Sequence, residues 1–260
     1  MTGAHVLILA GTAEGRQLAS RLAGWPGLRV TSALAGRTPQ HAPRPGDVRV
    51  GGFGGADELR AWLRRHRVAA VVDATHPFAQ TISAHAAMAC AESGTPLISL
   101  LRPPYTAVPG DDWHRVGSVR AAAELLPSLG RRVFLTTGQR GLAAFAALDQ
   151  LWFLIRCITP PSGPLPAARQ LILDSGPYAA DAESALIRRH RIGVLVTRDS
   201  GGELTTGKLI AARDAAIPVV MVSRPAPAGP TCPSVTAAED WLLTQLDRRT
   251  GALSSNGSPA

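Results

Sequence analysis

An α/β fold made of two consecutive parallel-sheet units is what three observations on this 260-residue chain predict. Apolar runs of strand length lead repeatedly into glycine-bearing turns and then into helical periodicity. After a proline-rich stretch, the same pattern restarts near Arg132. Hydrophobic residues make up 45% and aromatics 5%, with alanine and valine prominent, which suits layered α/β packing better than an aromatic-rich β-sandwich.

The first unit opens with His5-Val6-Leu7-Ile8-Leu9-Ala10, a strand, followed by Gly11-Thr12-Ala13-Glu14-Gly15-Arg16 and a helix with Leu18 and Leu22 at helical spacing. Glycine lets backbone approach a phosphate, and the N–H groups and dipole of the next helix favour negative charge, so this reads as a nucleotide-binding βα opening. The turn has two glycines where the full dinucleotide fingerprint has three, and its other reading is a tight strand-to-helix turn with no ligand. Leu28–Leu34 is the second strand and ends in Ala35-Gly36-Arg37-Thr38. NAD-binding units carry an acid here for the ribose 2′-hydroxyl, whereas an arginine suits the 2′-phosphate of NADP. Arg37 beside Thr38 therefore points to phosphate, against the alternative of a solvated loop arginine.

A proline-rich loop from Thr38 to Gly46 leads to a short strand, Asp47–Val50, then to the glycine cluster Gly51–Gly55, read as a loop, and a helix from Ala56 to His66 with Leu59, Trp62 and Leu63 on its apolar face. Val68–Ala74 is a nearly continuous apolar run, the pattern of a central parallel strand covered on both faces. Asp73, Thr75 and His76 then fall at its carboxyl end, where open α/β sheets bind ligands, and Pro77 fits the first position of the next helix. His76 and His85 are about half a turn out of phase at ~3.6 residues per turn, so they cannot chelate one metal from one helix, and no metal site is expected. A structural, hydrogen-bonded histidine is the other reading of His76.

Pro96–Leu101 closes the first half, and residues 102–112 read as a crossing segment. The second half begins with the strand Arg132–Thr136, the turn Thr137–Gly141 and a short helix, Leu142–Leu148. Strands follow at Leu151–Ile158, Leu171–Asp174, Gly193–Thr197 and Pro218–Val222, with helices at Ala182–His190 and Glu203–Ala216. Arg198-Asp199-Ser200-Gly201-Gly202 with Lys208 is either an anion cradle or an N-cap with an exposed lysine. A closing helix runs from Ala237 to Arg248. Both halves are Rossmann-like in pattern, giving domains at 1–104 and 112–249 and a polar, disordered tail at 250–260.

The formal charge of +8 comes almost wholly from arginine, since Lys208 is the one lysine, and it favours anionic partners. No helix-turn-helix signal, basic helix or aromatic-interleaved arginine patch points to nucleic acid. Cys90, Cys157 and Cys232 are far apart, which supports neither a zinc knuckle nor a disulfide framework. With no signal-peptide pattern and no apolar run of membrane-spanning length, the expectation is a cytoplasmic protein, a monomer or weak oligomer.

Ile8-Leu9-Ala10-Gly11-Thr12-Ala13-Glu14-Gly15, Ala35-Gly36-Arg37-Thr38, Asp73-Ala74-Thr75-His76-Pro77-Phe78-Ala79, Thr197-Arg198-Asp199-Ser200-Gly201-Gly202 and Lys208 together resemble the precorrin-6A reductases of cobalamin biosynthesis. The similarity runs from about Val6 to about Trp241, and its main departure is Ala10, where many members have a second glycine. The resemblance implies two Rossmann-like domains with a ligand cleft between them, NADPH as cofactor, and hydride transfer to one double bond of the tetrapyrrole precorrin-6A to give precorrin-6B. Strand-end position then assigns Gly11, Thr12, Glu14 and Gly15 to the cofactor turn, Arg37 and Thr38 to the 2′-phosphate, and Thr75 and His76 to the nicotinamide border. Ser200, Gly201, Gly202 and Lys208 would contribute to cofactor or macrocycle, with His76 and Lys208 the catalytic candidates. The rivals are a reductase of another anionic substrate, a non-catalytic nucleotide-binding module, and a methyltransferase, which the arginine at the second strand end opposes.

Overall fold

In the computed structural model, residues 3–34 and 46–255 are described, apart from the side chains of Leu204 and residues 249–255. The described chain divides into two compact units, Met1–Arg102 with Pro225–Ala260, and Pro103–Arg224. The first contains β1 (Ala4–Ala10), α1 (Ala13–Leu22), β2 (Leu28–Leu34), β3 (Asp47–Val50), α2 (Ala56–Arg65), β4 (Val68–Ala74), α3 (Gln80–Ser93) and β5 (Leu97–Leu100). The second contains β6 (Trp113–Val116), α4 (Val119–Leu129), β7 (Arg132–Leu135), β8 (Trp152–Cys157), β9 (Arg169–Leu173), α5 (Ala180–Arg189), β10 (Val194–Arg198), α6 (Gly207–Asp214) and β11 (Val219–Val222). β12 (Thr231–Cys232) and α7 (Val235–Ser255) return to the first.

Among the described residues each unit has a six-stranded sheet, ordered β12-β5-β4-β1-β2-β3 in the first and β6-β11-β10-β7-β8-β9 in the second, with the strands paired in parallel. In the first sheet Val6, Ile8 and Val72 face α1 and α7, meeting Leu18, Leu22, Ala238 and Leu242. Leu7, Leu9 and Val71 face the other way, against Leu59 and Leu63 of α2 and Ala86 and Cys90 of α3. Both faces are thus covered, which is why all seven residues of β4 are buried and all but Asp73 are apolar. In the second sheet Phe134, Leu154, Leu195 and Met221 pack against Ile187 of α5 and Leu209 and Ala212 of α6.

The parallel α/β architecture agrees with the expectation, and several details differ. Residues 225–249 do not belong with the second unit: β12 pairs with β5, and α7 places Ala238 and Leu242 in the core of the first sheet. That core has an open face beside α1, and an amphipathic helix from the far end of the chain fills it. The tail expected to be disordered is helical through Ser255, and residues 256–260 lie outside the described residues. β6 and β12 were not anticipated, the first because Trp-His-Arg-Val has no apolar alternation and the second because it is two residues long. The helix expected at Glu203–Ala216 is a 3₁₀ turn, Glu203–Thr205, followed by α6; the short helix expected at Leu142–Leu148 is a 3₁₀ turn, Leu142–Phe145. Pro77 lies in a turn before α3 rather than at its first position, with the Ala79 N–H donating to the His76 carbonyl at 2.7 Å.

Beneath the second sheet lies a buried ion pair. Arg156 of β8 forks onto Glu183 of α5 at 2.5 and 2.9 Å, and its guanidinium lies 3.7 Å from the ring centre of Tyr178. Both side chains are at most 4% exposed, so neither charge retains water to replace its partner. Glu183→Ala is therefore expected to lower stability by about 3–5 kcal/mol in urea unfolding. In the first unit, a Cβ on Gly15 would lie 2.9 Å from the Cβ of Ala74. Gly15→Ala must push α1 away from β4, and a loss of about 1–3 kcal/mol in the same measurement is expected.

Candidate functional site

Strand order in the first sheet reverses at β1, which has β2 on one side and β4 on the other. A doubly wound sheet opens a crevice outside the carboxyl ends at such a point. The turn after β1 and the segment after β4 both reach that edge. Gly11 sits where a Cβ would lie 3.4 Å from Thr75 Cα and 3.6 Å from His76 N, so the two segments are in close contact. Gly11, Thr12, Glu14, Gly15, Thr75 and His76 are thereby gathered at one edge of one sheet.

Thr12 caps α1. Its hydroxyl accepts from the Gly15 N–H at 3.1 Å and donates to the Ala74 carbonyl at 2.9 Å, tying the helix start to the end of β4. The hydroxyl proton is committed to the fold, so Thr12 shapes the turn through its side chain. Glu14, in the first turn of α1, receives the Arg102 guanidinium at 2.9 and 3.2 Å. Arg102 follows β5, 88 residues away, and sequence reasoning gave it no role. It neutralises the one carboxylate standing where a helix start would otherwise welcome an anion.

Asp73 is a second residue left out of the expected set. At the end of β4 and 5% exposed, it accepts on Oδ1 from the Thr75 N–H at 3.0 Å and the Thr75 hydroxyl at 2.7 Å. This turn fixes the direction of the chain into His76. On His76, Nδ1 accepts from the Phe78 N–H at 3.2 Å, which places the ring proton on Nε2. Beside these residues is a cavity of about 160 Å³ lined by Asp73, Thr75, His76, Ser83, Ser99 and the 225–228 segment. A strand, a close-packed glycine turn and a capped helix start at the strand-order reversal, with a cavity beside the neighbouring ends of β4 and β5, fit a dinucleotide cofactor.

The second sheet reverses at β7, between β8 and β10. Ser200, Gly201, Gly202 and Lys208 lie after β10 at the corresponding edge. Gly201 has φ +65°, and a Cβ there would be 2.1 Å from the Pro103 carbonyl oxygen, so this glycine admits the 103–105 segment. Asp199 holds the same segment: Oδ1 accepts from the Tyr105 N–H at 2.9 Å and Oδ2 from Arg115 at 2.7 Å, while its carbonyl accepts from Arg224 Nε at 3.1 Å. Ser200 Oγ is 3.4 Å from the Tyr105 hydroxyl, which also contacts Thr205 Oγ1. Lys208 is not the exposed lysine of the alternative reading. It is 5% exposed and donates from Nζ to the Thr205 carbonyl at 2.9 Å. Across the turn, Arg198 donates to the Arg140 carbonyl at 2.8 Å, and burial with the nearby Arg140 charge pushes its guanidinium pKa down.

Arg37 and Thr38 lie outside the described residues. Among the described residues, no helix is long and apolar enough to cross a membrane, and no group of three or more His, Cys, Asp or Glu is placed to hold a metal ion.

Comparison with known proteins bears on this arrangement. Residues 5–243 match the family model described as precorrin-6x reductase CbiJ/CobK. The precorrin-6A reductase of Rhodococcus erythropolis is 51% identical over 247 residues, covering 94% of this chain and 99% of that protein. That of Mycobacterium tuberculosis strain ATCC 25618 / H37Rv is 50% identical over 241 residues, covering 92% and 97%. Among solved structures, CobK precorrin-6A reductase superposes with a TM-score of 0.86 at 38% identity, covering 93% of this chain and 97% of that one. With a family model spanning nearly the whole chain and full-length relatives at half identity, the chain belongs to the precorrin-6x reductase family.

Proposed function

We propose that this protein reduces one double bond of precorrin-6A to give precorrin-6B in cobalamin biosynthesis, using NADPH. The observation that carries the reading is the meeting of the Gly11–Gly15 turn with the Asp73–His76 segment at a strand-order reversal, in a chain of this reductase family. When bound, the nicotinamide supplies the hydride. The protein's own work is to bind two large anions, align them and exclude water.

In this reading the start of α1 faces the cofactor pyrophosphate, with Gly11 and Gly15 keeping side chains out of the turn and Thr12 holding its shape. Arg102 balances Glu14, so a phosphate meets the helix dipole without carboxylate repulsion. Arg37 and Thr38 bind the 2′-phosphate. Thr75, oriented by Asp73, and His76, whose Nδ1 accepts from the Phe78 N–H, border the nicotinamide. Ser200, Gly201, Gly202 and Lys208 serve cofactor or macrocycle, with Lys208 buried and its Nζ held by the Thr205 carbonyl. The carbon next to the hydride acceptor needs a proton, for which His76 and Lys208 are the assigned donors. Three buried cysteines without disulfides suit a reducing cytoplasm.

Arg37→Ala is expected to raise the KM for NADPH far more than that for NADH; equal effects on the two would remove the 2′-phosphate assignment. His76→Ala should lower turnover by about a hundredfold while leaving NADPH affinity nearly unchanged in calorimetry. Near-normal turnover would show that His76 is not the donor and that water or Lys208 delivers the proton.

A further inference from the structure

Arg49 lies one residue before the end of β3, paired in register with Ala33 beside the carboxyl end of β2. The end of β2 is where a dinucleotide-binding sheet meets the adenosine ribose, and adjacent strands are about 4.8 Å apart. From this position the Arg49 side chain reaches past the end of its strand. Nη2 donates to the Gly52 carbonyl at 3.1 Å, and the guanidinium lies over the Phe53 ring at 4.5 Å from its centre. Phe53 is itself held edge-on by Trp62 of α2, with ring centres 5.5 Å apart, so the cation rests on a braced aromatic platform.

The charge on Arg49 has no carboxylate to balance it. Asp47, at the start of the same strand, is taken by Arg29 at 2.7 Å. Among the described residues Arg49 makes no ion pair, its only side-chain hydrogen bond is the one to Gly52, and its buried Nε has no partner. Residues 1–2, 35–45 and 249–260 contain no Asp or Glu, so no acidic side chain outside the described set can pair with it. A half-buried guanidinium with an unfilled Nη1, fixed on an aromatic ring beside the carboxyl end of β2, is built to take an oxyanion.

We infer that Arg49 binds the adenosine 2′-phosphate of the cofactor and is a specificity-determining residue for NADPH over NADH. This rests on the NADPH reading above and adds to it a residue of β3. The arginine is pre-ordered by Gly52 and Phe53, so little side-chain entropy is lost when the phosphate arrives.

The test is calorimetric titration of the purified full chain with adenosine 2′,5′-bisphosphate and, separately, with 5′-AMP, at one fixed salt concentration. Wild-type protein should bind the bisphosphate more tightly than 5′-AMP. Arg49→Gln should weaken bisphosphate binding by about tenfold to a hundredfold and change 5′-AMP binding by less than about twofold. A wild-type preference that survives intact in Arg49→Gln overturns the role of Arg49 and leaves the NADPH reading standing. No wild-type preference overturns both. Arg49→Lys keeps the charge and loses the fork. If Arg49→Gln does not fold, a threefold or greater selective loss of bisphosphate affinity in Arg49→Lys supports the inference, and an unchanged preference overturns it.

Discussion

The contact of α1 with β4 through Gly15 is the constraint on which the first unit depends. With no Cβ at residue 15, the helix lies directly on Ala74, and the Thr12 hydroxyl can bridge the Ala74 carbonyl and the Gly15 N–H. That closeness puts the start of α1 and the segment after β4 at one edge, where strand order reverses. It also leaves Asp73 and His76 beside the cavity instead of beneath the helix. Gly15 matters chiefly for packing, and the approach to a cofactor follows from the packing.

The second unit secures its edge differently. Asp199 receives donors from Tyr105 and Arg115 on its carboxylate and from Arg224 on its carbonyl, so the entering and leaving ends of the unit meet on one residue. Gly201 exists to admit Pro103, and Lys208 is turned back onto Thr205. Residues that read in sequence as an anion cradle are first a clamp on the boundary of their own unit. Lys208, buried, and Arg198, bonded to the Arg140 carbonyl, are both held in place at that edge.

Much of this was legible because burial writes itself into sequence. β4, buried on both faces, shows as an apolar run broken only by Asp73, and β1, β2, β8 and β10 fall within a residue or two of their expected ends. What could not be read involves partners distant in the chain. Nothing in Val235–Ser255 says that its apolar face belongs to the first sheet, because such a face fits any open core. The Arg102–Glu14 pair, the Asp199 cluster and the Arg49–Phe53 platform likewise appear only when the fold brings them together. Asp73 was visible at a strand end and opens the Asp73–Ala79 motif, but its bonds to the Thr75 N–H and hydroxyl appear only in the folded turn.

The central claim is that this chain delivers a hydride from NADPH to precorrin-6A, and the most direct measurement is an anaerobic incubation of the two with the purified protein, following cofactor oxidation and macrocycle mass together. The account predicts one NADPH consumed per macrocycle and a product heavier by two hydrogens, carrying one deuterium when both hydrogens at the nicotinamide C4 position are deuterium. NADPH oxidation without a mass change, or a reduced macrocycle lacking that deuterium, would contradict it.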